Sequence, residues 1–475
     1  MNQDNGGVIG KINTPTTTVA SGVWSIQDQF EAQSSSTWPL AFPQTTFTNS
    51  CRFDSTSTDR LTRTITGTNT TKFTASMWVK LADSGANILY ASETNSSDYI
   101  FIQHNSSGNL NVQMQGTQNR RITNRVFRDP SAWYNFVIVF DSTQATASDR
   151  IKVYVNGQQE TSFSTNTTNM SQDSNLSPLD DTISFGVGNY PAESQYMNGC
   201  IAEFIAVYGQ ALTPSSFGAT NPVTNIWEPI AYTGTYGTNG FKLNFSDSSN
   251  LGDDTSGNGN DFTVTNLTSV DQSTDTPSNN FATLNPLEAE ANSPTFSDGN
   301  LTQTTPSSGG TSGRSTIEIP HTGVWYWEVK IVSTTGTISD NIRLGISTGS
   351  SASDGQNLRY MSNGQYVNPS GVSSYGASYA AGDIISVKVD ADNNQVTFYK
   401  NGTSQGAISY TMVAGETYKA FVGEYGSIGS VYSMNFGSAP FSISSGNSDP
   451  NGHGNFEYST DNGYALNTKN LSEFG

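Results

Sequence analysis

Apolar and polar residues alternate along much of the chain, in short runs broken by Gly, Asn, Asp, Ser and Pro. Alternation places every second side chain on one face of a strand, so the pattern is that of half-buried β-structure. The clearest instance, Ile151-Lys152-Val153-Tyr154-Val155-Asn156-Gly157, has a near copy in Val396-Thr397-Phe398-Tyr399-Lys400-Asn401-Gly402. Both run into Asn-Gly, which accepts the positive φ that a two-residue type I′ turn needs at its central positions. Each heptapeptide predicts strand, tight turn and returning strand, and the duplication predicts two sandwiches of one kind.

From residue 47 to 218, strand-like runs fall at 73–79, 88–90, 99–102, 110–112, 133–140, 151–155, 183–187 and 201–208, spaced by polar turns as in an antiparallel sandwich. Thr213 as N-cap, Pro214 at the first helical position and Gly218 as terminator predict one short helical turn that closes this unit. Residues 219–240 sustain no alternation and read as a linker. A second β-rich region covers 241–445, with runs at 241–245, 316–319, 325–332, 342–346, 384–389, 396–399, 419–422 and 432–436. Residues 446–475 are polar and predict a tail that packs loosely or against another chain. At the other end, residues 1–46 have too little periodicity for a core and should order only against a partner. There Trp24, Ile26 and Phe30 form one apolar side of a two-turn helix over 25–32, and Trp38 follows, which makes 1–46 a candidate attachment segment.

A length of 475 residues suits two or three units at about 150 residues each. Lys and Arg total 21 against 40 Asp and Glu, a formal charge of −19. That balance argues against nucleic acid, which is bound through basic patches, and against anionic membrane surfaces. The start carries no basic segment followed by an apolar one, and no run of about 18 apolar residues occurs, so synthesis in a cytoplasm without membrane insertion is the expectation. Cys51 and Cys200 lie near the two ends of the first unit, where first and last strands are often neighbours. A disulfide between them is geometrically conceivable, while cytosolic synthesis favours free buried thiols.

Glycoside hydrolysis needs two carboxylates about 5–9 Å apart on one sheet face, and no Glu-x-Asp-x-x-Glu strand supplies them. His104, His321 and His453 have neither metal-ligand spacing nor a nucleophile motif beside them. An enzyme is not expected. Asp253, Asp254 and Asp261 group hard oxygen ligands within nine residues, which makes calcium a candidate; the alternative is a polar turn between strands. Tyr360, Tyr366 and Tyr375 stand among Ser, Gly and Asn, the composition of recognition loops, so they are candidate ligand contacts or else covers for a sandwich edge. Tyr379, Trp78, Trp133, Trp325 and Trp327 are assigned to the core.

Residues 73–218 resemble the laminin-G-like, concanavalin A-type jelly-roll family, through Phe73-Thr-Ala-Ser-Met-Trp78-Val79, Ala132-Trp133-Tyr134 to Asp141, Ile151 to Gly157, and Asn198-Gly199-Cys-Ile-Ala-Glu203-Phe. The second region is similar to SPRY domains, which are also concanavalin A-like, through Gly323-Val-Trp325-Tyr-Trp327-Glu328, Gly382-Asp383, Val396 to Gly402, and Met434-Asn-Phe-Gly437-Ser-Ala-Pro440-Phe441. The resemblances imply an all-β chain of two concanavalin A-like antiparallel sandwiches behind a short irregular amino-terminal anchor. They also imply structural places for Glu203 and Glu328, and a calcium candidate at a sandwich rim near Asp98, Asp141 and Asp149. The whole arrangement resembles structural proteins of marine bacteriophages, through Gly7-Val-Ile-Gly10, Ala20-Ser-Gly-Val-Trp24-Ser, Asp254-Thr-Ser-Gly-Asn-Gly-Asn-Asp261-Phe and Asp275-Thr-Pro-Ser-Asn-Asn-Phe281. This implies a virion protein, a tail fibre or other appendage that adheres to host glycan or protein, with residues 1–46 contacting other virion proteins. The rival reading is capsid decoration or tail cement. A homo-oligomer is open, with no coiled-coil heptad to announce a trimer.

Overall fold

The computed structural model describes residues 45–475 apart from 66, 68, 84, 96, 115–118, 180–183, 191–194, 223, 290–293, 308–309, 336–340, 350–356 and 427. Trp24, Phe30 and Trp38 therefore lie outside the described residues.

Two β-sandwiches follow one another. In the first, one sheet has the order Gln158–Gln159, Ile151–Val155, Trp133–Asp141, Lys72–Leu81, Gly199–Tyr208, Ser50–Phe53, Gln272–Ser273. The facing sheet runs Phe163–Thr168, Asn119–Val126, Asn109–Met114, Asp98–His104, Asn87–Asn95, Ser184–Val187, Arg60–Thr64, Thr263–Thr265. Phe73, Met77, Ile100, Val112, Phe136, Ile138 and Phe204 fill the space between them. In the second sandwich, Val324–Thr334 lies between Ser430–Asn435 and Ile384–Asp390, and the facing sheet is led by Thr311–Ile319, Tyr418–Glu424 and Ile342–Ser347. Trp325, Trp327, Leu344, Val387, Phe398 and Val422 make that core.

The two Asn-Gly turns are the same device used twice. Asn156 and Asn401 have φ of 47° and 48°, and both following glycines have φ of 78°. Each Asn also pairs with the neighbouring strand: Asn156 with Asn135 and Asn401 with Ile384, each through backbone N–H to carbonyl and through Oδ1 to backbone N–H. An aromatic ring then covers each turn glycine, Trp227 over Gly157 and Tyr458 over Gly402, so close that a Cβ would collide with it.

Three segments lie elsewhere than their sequence suggests. Phe241–Leu243, expected to open the second sandwich, pairs with Gly199–Tyr208 in the first, and Thr263–Thr265 and Gln272–Ser273 join that sandwich too. Phe241, Leu243, Phe245, Leu251 and Phe262 enter the first core, which is the physical reason the chain stays there until about residue 273. Residues 219–240 are not a free linker. The hairpin Gly218–Thr220/Trp227–Pro229 straps the sandwich, and Trp227 donates to Asn135 Oδ1. Tyr232 and Phe217 cover Val137, Val139, Ile205 and Val207 on the outer sheet face. The polar end, residues 446–475, is built in: Tyr464–Ala465 pairs in parallel with Val324–Thr334, and buried Glu328 accepts the backbone N–H groups of Glu457 and Tyr458. The predicted closing turn is a single 3-10 turn, Pro214–Ser216, behind Thr213.

Between the sandwiches the chain at 267–284 forms a buried polar junction. Arg52 donates to the carbonyls of Val270, Ser438 and Ala439, Thr274 donates to Gly437 O, and Ser273 and Ser438 share a hydrogen bond. Asp275 accepts from Lys80 Nζ at 2.7 Å, from Trp133 Nε1 at 3.1 Å and from the Phe281 N–H. Gly437 is required here, because a Cβ would lie 2.3 Å from the Phe281 ring.

One end of the second core is polar. Glu424 is fully buried, with Oε2 accepting from Thr305 and Oε1 unpartnered among the described residues; the Tyr432 hydroxyl and the Gln303 amide nearby are unpartnered as well. Burial pushes the Glu424 carboxyl up from 4.5 to about 7, against the hydrogen bonds that favour its ionised form. The folded protein thus keeps a proton that the unfolded chain releases above about pH 4.5, so this group's stabilisation is complete below that pH and is lost as pH rises through about 7. Glu424→Gln is expected to raise stability by about 2 kcal/mol at pH 8 and to change it little at pH 5, read from denaturant midpoints. An equal shift at both pH values would contradict the assignment.

Candidate functional site

The strand Asp98–His104 sends Ile100 and Ile102 into the first core and therefore Tyr99, Phe101 and Gln103 to the other side of its sheet. Its neighbour Asn109–Met114 does the same with Leu110, Val112 and Met114 inside and Asn111 and Gln113 outside. Register sets Gln113 beside Phe101 and Arg120, and Asn111 beside Gln103 and Ile122. The outer face is consequently a row of amides next to aromatic rings.

Hydrogen bonds hold that row in order. Arg120 Nε donates to Asn111 Oδ1 at 3.0 Å, Asn111 Nδ2 to Gln103 Oε1 at 3.3 Å, and Gln103 Nε2 to Gln195 Oε1 at 3.0 Å, while Gln113 Nε2 donates to the Tyr99 hydroxyl. Asn111 and Gln113 are buried, whereas Gln103 is half-buried; an amide carries two N–H groups and two lone pairs, so Gln103 keeps a second donor and acceptor for a ligand. Tyr99 and Phe101 lie parallel, 5.7 Å between centroids with 2° between planes, and Tyr190 tilts against both. Tyr190 reaches them because Asn189 folds down onto Gly186, where any Cβ would meet Asn189 Oδ1 at 2.2 Å. Glu93, the register partner of Tyr99, has a buried carboxylate oxygen, Oε2, with no hydrogen-bond partner among the described residues. Aromatic plates beside ordered amides bind by stacking and hydrogen bonding.

The candidate tyrosines are placed differently from that expectation. Tyr360 points inward with Leu358, is fully buried and donates its hydroxyl to Ala377 O, so it is withdrawn as a ligand contact. Tyr375 stands edge-on to Tyr360 at 5.2 Å, donates to Gly406 O and accepts from the Phe398 N–H, and Tyr366 stands edge-on to Tyr375 at 5.9 Å. Burial raises the Tyr360 and Tyr375 hydroxyls to about 12. The structure does bring the three together, as a plug that closes the sandwich edge.

Asp254 spends its carboxylate on Lys242 N–H, Ser256 N–H and hydroxyl, and Asn260 N–H, while Asp261 Oδ1 accepts the Asp254 N–H. The loop organises itself around these backbone donors, and among the described residues no group of three or more His, Cys, Asp or Glu is arranged to hold a metal, Asp253 included. Asp98 turns to Ser177, Asp141 to Thr143 and Gln144, and Asp149 lies beside Lys152, so the rim carboxylates do not converge. Cys51 and Cys200 are both free thiols. Their strands are adjacent, but Cys51 pairs with Ile201 and Cys200 with Arg52, a one-residue offset that sends the two to opposite faces. Cys51 lies in the first core and Cys200 in an outer cluster with Phe47, Trp78 and Trp133, where those two tryptophans are also found.

Glu203 sits on a bulge with φ 43° and pairs with Lys242 at 2.8 Å; Glu328 accepts from Tyr326, Asn435 and two backbone amides. Burial raises both carboxyls, against Lys242 in the first case and against the backbone amides in the second. They belong to different sandwiches and form no pair.

Comparison with known proteins agrees with this geometry. Residues 54–216 match the Laminin_G_3 family, described as the concanavalin A-like lectin/glucanases superfamily, and residues 324–438 match the SPRY domain family. No curated protein matches the chain. Among solved structures, the SPRY domain of human HERC1 is similar at 19% identity, covering 32% of this chain and 96% of that one with a TM-score of 0.28. A human SPRY domain is similar at 19% identity over 28% of this chain and 90% of that one, TM-score 0.23, and stonustoxin at 16% over 32% and 27%, TM-score 0.26. The chain thus carries a laminin-G-like, concanavalin A-type sandwich followed by a SPRY sandwich, and domains of both kinds are commonly adhesion or binding modules.

If Asp254 serves backbone amides alone, Asp254→Ala should lower stability by about 2 kcal/mol, since hydrogen bonds to a charged group are lost. Neither calcium nor a chelator should move the thermal midpoint of the wild-type chain. A calcium-dependent rise that Asp254→Ala abolishes would restore the metal assignment.

Proposed function

We propose that the chain is a non-enzymatic binding protein of a bacteriophage particle, a tail fibre or other appendage that adheres to host-surface glycan or protein. The observation that carries the binding part is the outer face of the first sandwich, where Tyr99, Phe101 and Tyr190 adjoin the ordered amides of Gln103, Asn111 and Gln195. Among the described residues of this face Arg120 and Glu93 carry charge, and the half-buried Tyr99, Phe101 and Gln103 offer ring surface and amide groups, which a sugar ring or a peptide backbone engages.

The virion part of the reading is supported by the sequence resemblance at residues 7–10, 20–25, 254–262 and 275–281. In this reading residues 1–46 attach the chain to other virion proteins, the two sandwiches project outward, and neither nucleic acid nor a membrane interior is engaged. A weak single contact becomes effective through many copies on one particle.

Binding of the purified chain to host cells tests this reading. Tyr99→Ala with Phe101→Ala is expected to reduce cell-bound protein about tenfold, equivalent to about 1.4 kcal/mol, while Tyr366→Ala leaves it unchanged. Equal binding by wild type and the double variant would remove the face as the contact surface.

A further inference from the structure

Lys80, on the strand Lys72–Leu81, is buried, and its ammonium meets three acceptors from the junction: Asp275 Oδ2 at 2.7 Å, Asn280 Oδ1 at 2.8 Å and Phe281 O at 3.0 Å. The Asn280 side chain is held from its other end, where Nδ2 donates to Ser131 O at 2.7 Å. Asp275 is buried too and is fixed by Trp133 Nε1 and the Phe281 N–H on its second oxygen. A lysine amine is thus pinned against a carboxamide, with a carboxylate on the amine and water excluded from both charged groups. Such fixed proximity is what turns a slow intermolecular reaction into a fast internal one.

We propose that Lys80 and Asn280 condense to an intramolecular isopeptide bond, with Asp275 as the proton carrier. The Lys80 ammonium gives a proton to Asp275 Oδ2, and the neutral Nζ attacks Asn280 Cγ. The Cγ–Nδ2 bond then breaks as Nδ2 takes protons from Nζ and from Asp275 and departs as ammonium. An Nζ–Cγ amide has formed, the carboxylate is restored, and no oxidant, reductant or co-reactant is consumed. The carbonyl of Phe281 keeps the amine aimed during the attack, and Ser131 holds the leaving nitrogen in place. The product ties the central strand of the first sandwich covalently to the segment that leads into the second, and it closes a loop of about 200 residues, counted from Lys80 to Asn280. The proposal does not depend on what the protein binds.

Mass spectrometry of the full-length chain, unfolded in denaturant, tests it. The wild type is expected to weigh one ammonia less than its sequence, and a tryptic digest should yield a branched peptide joining Lys80 to Asn280, uncleaved after Lys80. Lys80→Arg, Asn280→Ala and Asp275→Ala should each show the full sequence mass and no branched peptide. A wild-type chain at full sequence mass overturns the proposal whether or not the variants fold. So does an ammonia loss that fragmentation places at an Asn-Gly succinimide, because that reaction needs no lysine.

Discussion

The Asp275 carboxylate, buried among Lys80, Trp133 and the Phe281 N–H, is the contact on which the arrangement of the two sandwiches depends. A buried ion pair gains little over a well-packed apolar one, but removing one partner costs about 3–5 kcal/mol because the other charge is left without compensation. Lys80 belongs to the middle of the first sandwich, and Asp275 to a segment that has just left it and whose Phe281 packs with Tyr326 and Phe456 of the second. This contact, an ion pair until Lys80 condenses with Asn280 and a hydrogen bond from the new amide N–H afterwards, therefore fixes where one sandwich ends and the next begins. Arg52 adds a second tie by reaching from the first strand of the chain's first sandwich to Ser438 and Ala439 near the end of the SPRY match.

That junction explains why the candidate binding face is on the first sandwich and the second is largely closed. The outer face of the sheet that contains Lys72–Leu81 is covered by the hairpin and rings that follow residue 212 and by the junction itself, which leaves the opposite sheet, with the half-buried Tyr99, Phe101 and Gln103, as the candidate face. In the second sandwich Tyr360 and Tyr379 face inward, and the chain's end is bound down by Glu328 and by the helix Thr468–Phe474, whose Phe474 stacks on Tyr464 at 4.1 Å. The proposed binding face and the contacts that join the two sandwiches thus lie in different parts of the chain.

The sandwich pair was legible because it rests on local signals: alternation, and the two Asn-Gly turns that recur with the same φ values and the same pairing. Residues 241–273 were misplaced because Phe241, Leu243 and Phe262 read equally well as the start of a new core; only long-range pairing with Gly199–Tyr208 assigns them. Tyr360 failed as a site residue because loop-like composition around it hid the inward phase set by Leu358 and Tyr360. The amide row was visible in Asn109-Leu110-Asn111-Val112-Gln113-Met114, whose polar positions are all carboxamides, although its partnership with Tyr99 and Phe101 needs the register of two neighbouring strands. The closeness of Lys80 to Asn280 spans about 200 residues and leaves no local trace.

The contacts at Asp275 join both sandwiches and the segment between them into one cooperative structure. Native-state hydrogen exchange on the intact chain tests that cooperativity most directly. The amides of Asp275, Phe281 and Ala282 are expected to exchange as slowly as those of Lys72–Leu81. Exchange there at surface-loop rates, with both sandwiches still protected, would contradict it and leave two independent domains on a flexible tether.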